Sequence, residues 1–240
     1  MRRLMLLVAW LASTAAFAAR VNKPEVIIDL PDGWVEVPAE VLTQFHAEMK
    51  RQAPLAQIPK YDYAFQSANG PPWLAYPYLL VKITPSGRPT EHDLESLPSI
   101  DLNEKFKDQT QNWSNLMKDT SLGKMRYDKA ANVVWIPSKS NVNGIGVVSG
   151  ISGIIPTEKG FVELHAYSKT EDFEGHMPTF DKVITGAKVA PELLYQPRWS
   201  DKLGPAAGLF DTKSMLSKLA IFAIVGVLIA VFLSRRRKQN

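Results

Sequence analysis

The stretch Asn143–Ser168, NGIGVVSGISGIIPTEKGFVELHAYS, decides how this chain is read. Four glycines fall within its first ten or so residues, and they raise three possibilities: a phosphate loop, a membrane span or a strand. Ile145, Val147, Ile151 and Ile155 alternate with Gly144, Gly146, Gly150 and Ser152, a period of two that belongs to a strand with one apolar face and one nearly bare one. A phosphate loop needs a helix N-terminus directly after its glycines, so that backbone N–H groups converge on the anion. Here Pro156 and the turn Thr157-Glu158-Lys159-Gly160 follow instead, and FVELHAYS makes a second strand. No Gly-Lys-Ser or Gly-Lys-Thr occurs, and the apolar run is too short to span a bilayer. The stretch is sheet, and its glycines let another element pack closely over the bare face.

Working outward, EVIIDLPDGWVEVP predicts a strand, a turn at Pro31-Asp32-Gly33 and a short return strand. Pro38 opens a helix in which Val41, Leu42, Phe45 and Met49 recur at helical spacing until Pro54. YDYAFQS and YPYLLVKIT read as strands. A second helix is expected from about Asp101 to Lys118, with Leu102, Phe106, Trp113 and Met117 on one side. GKMRYD and NVVWIPSK suggest a hairpin turning near Ala130, and a short helix near Pro178 to Ile184 closes the domain with Phe180, Val183 and Ile184 inward. The fold class is therefore α+β, an antiparallel sheet covered by helices, plus one C-terminal transmembrane helix.

At motif level the turn Leu30-Pro31-Asp32-Gly33-Trp34, placed before a helix, resembles that of PsbP/Mog1-like domains, as does the order of the sheet and its closing helix. The resemblance implies an accessory or binding protein rather than an enzyme. It carries no ligand residue over to this chain.

The ends carry sorting signals. Residues 1–18, MRRLMLLVAWLASTAAFA, have the order of a secretory signal peptide: two arginines, an apolar core, then Ala16-Phe17-Ala18 as a small-x-small cleavage site. Nothing from Leu219 to Leu233 is polar, and a span over 215–234 approaches the ~20 residues that cross a hydrocarbon core of about 30 Å. Lys218 can extend its ammonium to the headgroups. Arg235, Arg236, Arg237 and Lys238, in the tail 235–240, are held on the cytoplasmic side. The expected order is signal peptide 1–18, exported α+β domain 19–198, tether 199–214, span 215–234 and basic cytoplasmic tail. Its setting is a bacterial inner membrane, with the domain periplasmic or extracellular. Membrane lipid is a partner through the C-terminal helix, and an envelope protein is a second possible partner. Gly226 and Ala230 form a single small-xxx-small pair in the span.

Charge excludes one class of function. The chain has 28 basic and 24 acidic residues, but two arginines lie in 1–18 and six basic residues lie from Lys213 onward. That leaves 20 against 24, a formal net of −4 for the exported part, which is no footprint for nucleic acid. With no cysteine there is no thiolate metal site, no cysteine nucleophile and no lipidated N-terminal cysteine. Asn112-Trp113-Ser114 matches a glycosylation sequon whose Trp113 should face the core.

Reactive groups are sparse. His46 sits beside the first helix's apolar stripe without a ligand at i+4, and His176 stands alone. Glu91-His92-Asp93 follows Pro89-Thr90, where acidic residues begin a helix. Glu163, His165 and Tyr167 share one strand face, and Glu163/His165 could do acid/base work, although an exposed sheet face reads the same way. Trp34, Trp113 and Trp135 belong to the core, while Trp73 and Trp199 are candidates for exposure and partner contact. No residue is assigned a catalytic, cofactor-binding or metal-binding role, and no cofactor is expected. The functional expectation is a single-pass, membrane-anchored exported protein with a non-catalytic binding or accessory domain in the cell envelope. The rival is a membrane-tethered hydrolase using Glu91, His92 or the Glu163/His165 pair.

Overall fold

The computed structural model describes residues 19–54, 56–67, 70–104, 113, 116–199 and 201. The signal peptide 1–18, the span 215–234 and the tail 235–240 lie outside these residues. Among the described residues no helix is long and apolar enough to cross a membrane.

Eight strands form the main sheet: β3 (Val35–Glu36), β4 (Tyr63–Gln66), β5 (Tyr78–Pro85), β6 (Met117–Leu122), β7 (Arg126–Asp128), β8 (Val133–Val142), β9 (Gly146–Thr157) and β10 (Gly160–Lys169). Their order is β3-β4-β5-β10-β9-β8-β6, with β7 sharing the β8 edge, and all these pairs are antiparallel. A second sheet joins β1 (Ala19–Asn22), β2 (Val26–Leu30) and β11 (Lys188–Val189). Among the described residues the α-helices with both ends defined are α1 (Ala39–Gln52), α2 (Glu91–Ser96) and α3 (Thr170–Gly186). This is a mixed α+β fold with antiparallel sheets and few helices.

The opening stretch is the centre of the main sheet. Thr157 pairs with Gly160 across a two-residue turn, and the register then runs without a slip to Lys169 opposite Val148. One face of β9 and β10 carries Ile151, Gly153, Ile155, Val162, Leu164 and Ala166. It packs against Val26, Ile28 and Leu30 of β2 and Phe180, Val183 and Ile184 of α3. The other face carries Val148, Ile154, Phe161 and Tyr167, and it packs against Leu42, Phe45 and Met49 of α1 together with Tyr61, Leu94, Leu97, Leu102 and Trp113. The expected bare face is thus a second apolar face, because both sides of these strands are covered. Continuous burial replaces simple alternation when a strand lies between two layers.

The glycines work on both faces. On the α3 side a Cβ added to Gly153 would overlap Ile184 Cγ2, so the helix lies directly on the strand backbone. On the α1 side a Cβ at Gly150 would come within 2.7 Å of the Tyr167 ring and of Ser138 Oγ. The closest helix contact is therefore over Gly153, on the face read as fully apolar.

Three sequence expectations change. The strand after the Pro31-Asp32-Gly33 turn does not return on β2. Gly33, at φ 76°, and the Trp34 N–H to Pro31 C=O bond of 3.2 Å turn the chain out of the small sheet, and β3 pairs with β4 in the large one. Trp34 remains at the junction, buried and edge-on to Phe180 with ring centroids 6.5 Å apart. The helix expected over 101–118 is helical at 102–104, and 105–112 lie outside the described residues. Leu116 and Met117 donate to the Trp113 carbonyl in one turn, after which Met117 and Lys118 enter β6, where Met117 pairs with Val142. One helical turn and a strand present Trp113 and Met117 inward equally well, so spacing alone could not separate them. Finally, the closing helix begins at Thr170, not Pro178. Glu171 and Asp172 occupy its positive end, and Pro178 sits inside it on the exposed side, where a carbonyl lacking its amide partner can be hydrated.

The contact between Gly153 and Ile184 predicts that Gly153→Ala destabilises the domain by about 1–3 kcal/mol through overpacking. The double variant with Ile184→Ala, which removes the opposing Cγ2, should lose less than the sum of the two single losses in urea unfolding followed by tryptophan fluorescence.

Candidate functional site

Two polar assemblies stand out. The first is a line across three strands on the α1 face. Thr84 Oγ1 donates to Glu163 Oε1, Glu163 Oε2 lies 3.2 Å from His165 Nε2, and His165 Nδ1 lies 2.7 Å from Ser152 Oγ. The two imidazole nitrogens thus face a carboxyl group on one side and a hydroxyl on the other. The register explains the assembly, since Ser152 is directly opposite His165 and Thr84 is diagonal to Glu163. The order hydroxyl, imidazole, carboxylate is that of a nucleophile, its base and the base's orienting group.

Burial decides its use. Glu163, His165 and Ser152 are each 0% exposed, and the His165 ring lies edge-on to Tyr61, 6.1 Å between centroids. No substrate reaches the Ser152 hydroxyl through that cover. Glu163/His165 is therefore not on an exposed sheet face, and the line is a buried hydrogen-bond network that satisfies polar groups inside an apolar layer. Beside it Tyr76, Tyr78 and Tyr167 form an aromatic column with centroid steps of 5.0 and 5.5 Å. Burial pushes the Tyr78 and Tyr167 hydroxyls well above the ordinary tyrosine range.

The second assembly surrounds Arg88, in the loop after β5. Its Nη1 and Nη2 grip Asp201 Oδ1 and Oδ2 at 2.8 and 2.6 Å, Nη2 also donates to the Gln196 carbonyl at 2.7 Å, and Nε donates to Glu158 Oε1 at 2.9 Å. The guanidinium lies 4.9 Å from the centre of the Tyr195 ring. Arg198 adds its N–H to Asp201 at 2.8 Å and its guanidinium to Glu158. The clamp fastens the C-terminal segment to the β9–β10 turn. The Arg88 hydrogen bonds hold Asp201 below the usual carboxylate range and raise Arg88 itself. Burial works against ionising Glu158, yet the Gln196 N–H and Arg88 bring it below its ordinary value.

Next to the clamp lies an open groove of about 310 Å³ lined by Glu91, His92, Glu95, Lys129 and Asp201. Lys129 bridges Glu91, at 3.4 Å, and Glu95. Asp93 is engaged in a capping box: its carboxylate accepts from the Thr90 N–H at 2.8 Å, and its own N–H donates to Thr90 Oγ1. Glu91-His92-Asp93 thus begins a helix, as its composition suggested, and its Glu91 and His92 also border the groove.

The histidines are dispersed over α1, α2, β10 and α3. His46 is half-buried, and burial, followed by Lys60 and Lys50, lowers its pKa. The His176 ring lies tilted against Phe180, 5.9 Å between centroids. Among the described residues no cluster of three or more His, Asp or Glu could hold a metal. Trp34, Trp113 and Trp135 are buried, Trp73 is half-buried against the α1-side core, and Trp199 is open to solvent. Sequence reasoning missed Ser152, Thr84, Arg88, Glu158 and Asp201. The Ser152–His165 pairing was within reach, because a two-residue turn at Glu158-Lys159 places 152 opposite 165. The Arg88–Asp201 pair, 113 positions apart, left no such signal.

No family model matches the sequence, and no curated protein matches it. Among solved structures it is similar to cyanobacterial PsbP (CyanoP) from Synechocystis, at 14% identity and a TM-score of 0.45, over 75% of this chain and 96% of that one. It is also similar to the Ran-binding protein Mog1p of Saccharomyces cerevisiae, at 9% identity and a TM-score of 0.34, over 68% and 83% of the two chains.

Removing the hydroxyl in Ser152→Ala leaves His165 without that partner and should destabilise the domain by about 1–3 kcal/mol in urea unfolding. Asp201→Asn breaks the clamp and should cost about 3 kcal/mol at pH 7. Because the folded carboxyl lies below its ordinary value of 3.8, its stabilisation is complete above that pH and lost as pH falls through the folded value. The gap between wild type and Asp201→Asn should therefore be equal at pH 7 and 5 and narrow only below about pH 4.

Proposed function

We propose that the chain is a single-pass, membrane-anchored exported protein of a bacterial envelope, whose α+β domain is a non-catalytic binding or accessory module. The observation that carries the non-catalytic reading is the use made of the reactive groups. Thr84, Glu163, His165 and Ser152 spend their hydrogen bonds on one another beneath the α1 layer, and Asp93 spends its own on a helix start. The membrane reading is supported by the sequence: a signal-peptide pattern over 1–18 and an apolar run from Leu219 to Leu233 followed by three arginines and a lysine.

The groove beside α2 is the surface proposed for an envelope partner. Its rim alternates charge, Glu91, Lys129, Glu95, which suits a partner with a complementary polar edge and disfavours wrong ones.

Crosslinking in intact cells followed by co-purification tests the binding role, and recovery of no specific partner counts against it. Glu95→Gln should lower the yield of the crosslinked species several-fold while changing unfolding by no more than about 1 kcal/mol, since the exposed Lys129–Glu95 pair it loses contributes little to stability. Anchoring is tested separately: the full chain should stay in membranes through alkaline carbonate extraction, and protease outside intact cells should leave the basic tail uncut.

A further inference from the structure

We propose that Trp199, with Leu194 on the same segment, is an interfacial foot that seats the exported domain on the headgroup layer of the bilayer. The inference rests on the anchored reading above and specifies how the domain meets the membrane. Among the described residues the large exposed hydrophobics are Val147 (41%), Leu194 (51%) and Trp199 (78%). Two of the three therefore fall within six residues of each other, on the last described segment of the chain.

This segment is held. Glu158 N–H donates to Leu193 O at 3.0 Å, Gln196 N–H donates to Glu158 Oε1 at 3.1 Å, and Arg88 and Arg198 fix Asp201. Residues before Trp199 are thus bonded to Glu158 in the β9–β10 turn and Asp201 after it to Arg88, while the Trp199 side chain is 78% exposed. A side chain presented on a fixed backbone gives up little freedom when it docks.

Distance supplies the occupant. Thirteen residues separate Asp201 from Met215, where the expected span begins. Even fully extended they span at most about 45 Å, so a bilayer holding the expected span lies within that distance of Asp201 and Trp199. Tethering at that range turns weak interfacial affinity into an intramolecular contact. The chemistry agrees. Indole combines an apolar body with one N–H donor and favours the membrane–water boundary. Arg198, its side chain 57% exposed though bonded to Glu158, precedes Trp199 and gives a cation suited to anionic headgroups.

The test uses the full chain reconstituted in vesicles of phosphatidylcholine and phosphatidylglycerol, prepared with plain or with brominated acyl chains. Emission of the Trp199→Phe protein is subtracted from that of wild type to isolate Trp199. Brominated lipid should quench this difference emission by about half or more, as for an indole at the interface. Equal emission in both lipids, from protein that resists carbonate extraction, overturns the inference and leaves anchoring intact. Shielding of Trp199 from iodide without bromine quenching also overturns it, in favour of a protein contact. Release of the chain by carbonate removes the anchored reading itself, and the inference with it.

Discussion

The hairpin of β9 and β10 is covered on both faces, and the rest of the domain is arranged around that burial. One face receives α3 so closely that Gly153 must lack a side chain where Ile184 lies. The other receives α1, the Tyr76-Tyr78-Tyr167 column and the segments around Leu94 and Trp113. A two-residue turn sets the register, and a slip of one residue would exchange the two faces and place Glu163 and His165 against α3. Register, helix placement and polar satisfaction are thus one constraint.

The polar line from Thr84 to Ser152 is a consequence of this packing. Three polar side chains with no exposure at all must find partners inside the layer, and adjacent strands bring them together at hydrogen-bonding distance. The geometry is that of an acid–base relay, but its hydroxyl faces the core. Access, not the identity or order of the groups, separates a structural network from a catalytic one here.

The Arg88 clamp solves a different problem. The segment from Leu193 to Asp201 would otherwise join the domain through a few backbone contacts at the β9–β10 turn. Arg88 concentrates two carboxylates, a carbonyl and an aromatic face on one guanidinium. A planar, always-charged fork is suited to such convergent bonding in a way that lysine is not. The clamp also holds the chain on either side of Trp199.

The sequence by itself determined the features whose cause is local. Alternation over 145–155 and the turn Thr157–Gly160 made a hairpin. The spacing of Leu42, Phe45 and Met49 made α1, Thr90 and Asp93 made a helix start, and the apolar run before Arg235 set the membrane expectation. These depend on periods and turn chemistry spanning a few residues. Tertiary structure decided what those elements meet. It made Glu163 and His165 interior, extended the last helix back to Thr170, sent β3 to a different sheet from β2, and brought Asp201 to Arg88. A strand's pattern records that a face is apolar or mixed, but whether a mixed face is wet or covered depends on elements distant in the chain. A charge pair 113 residues apart leaves no local period to read.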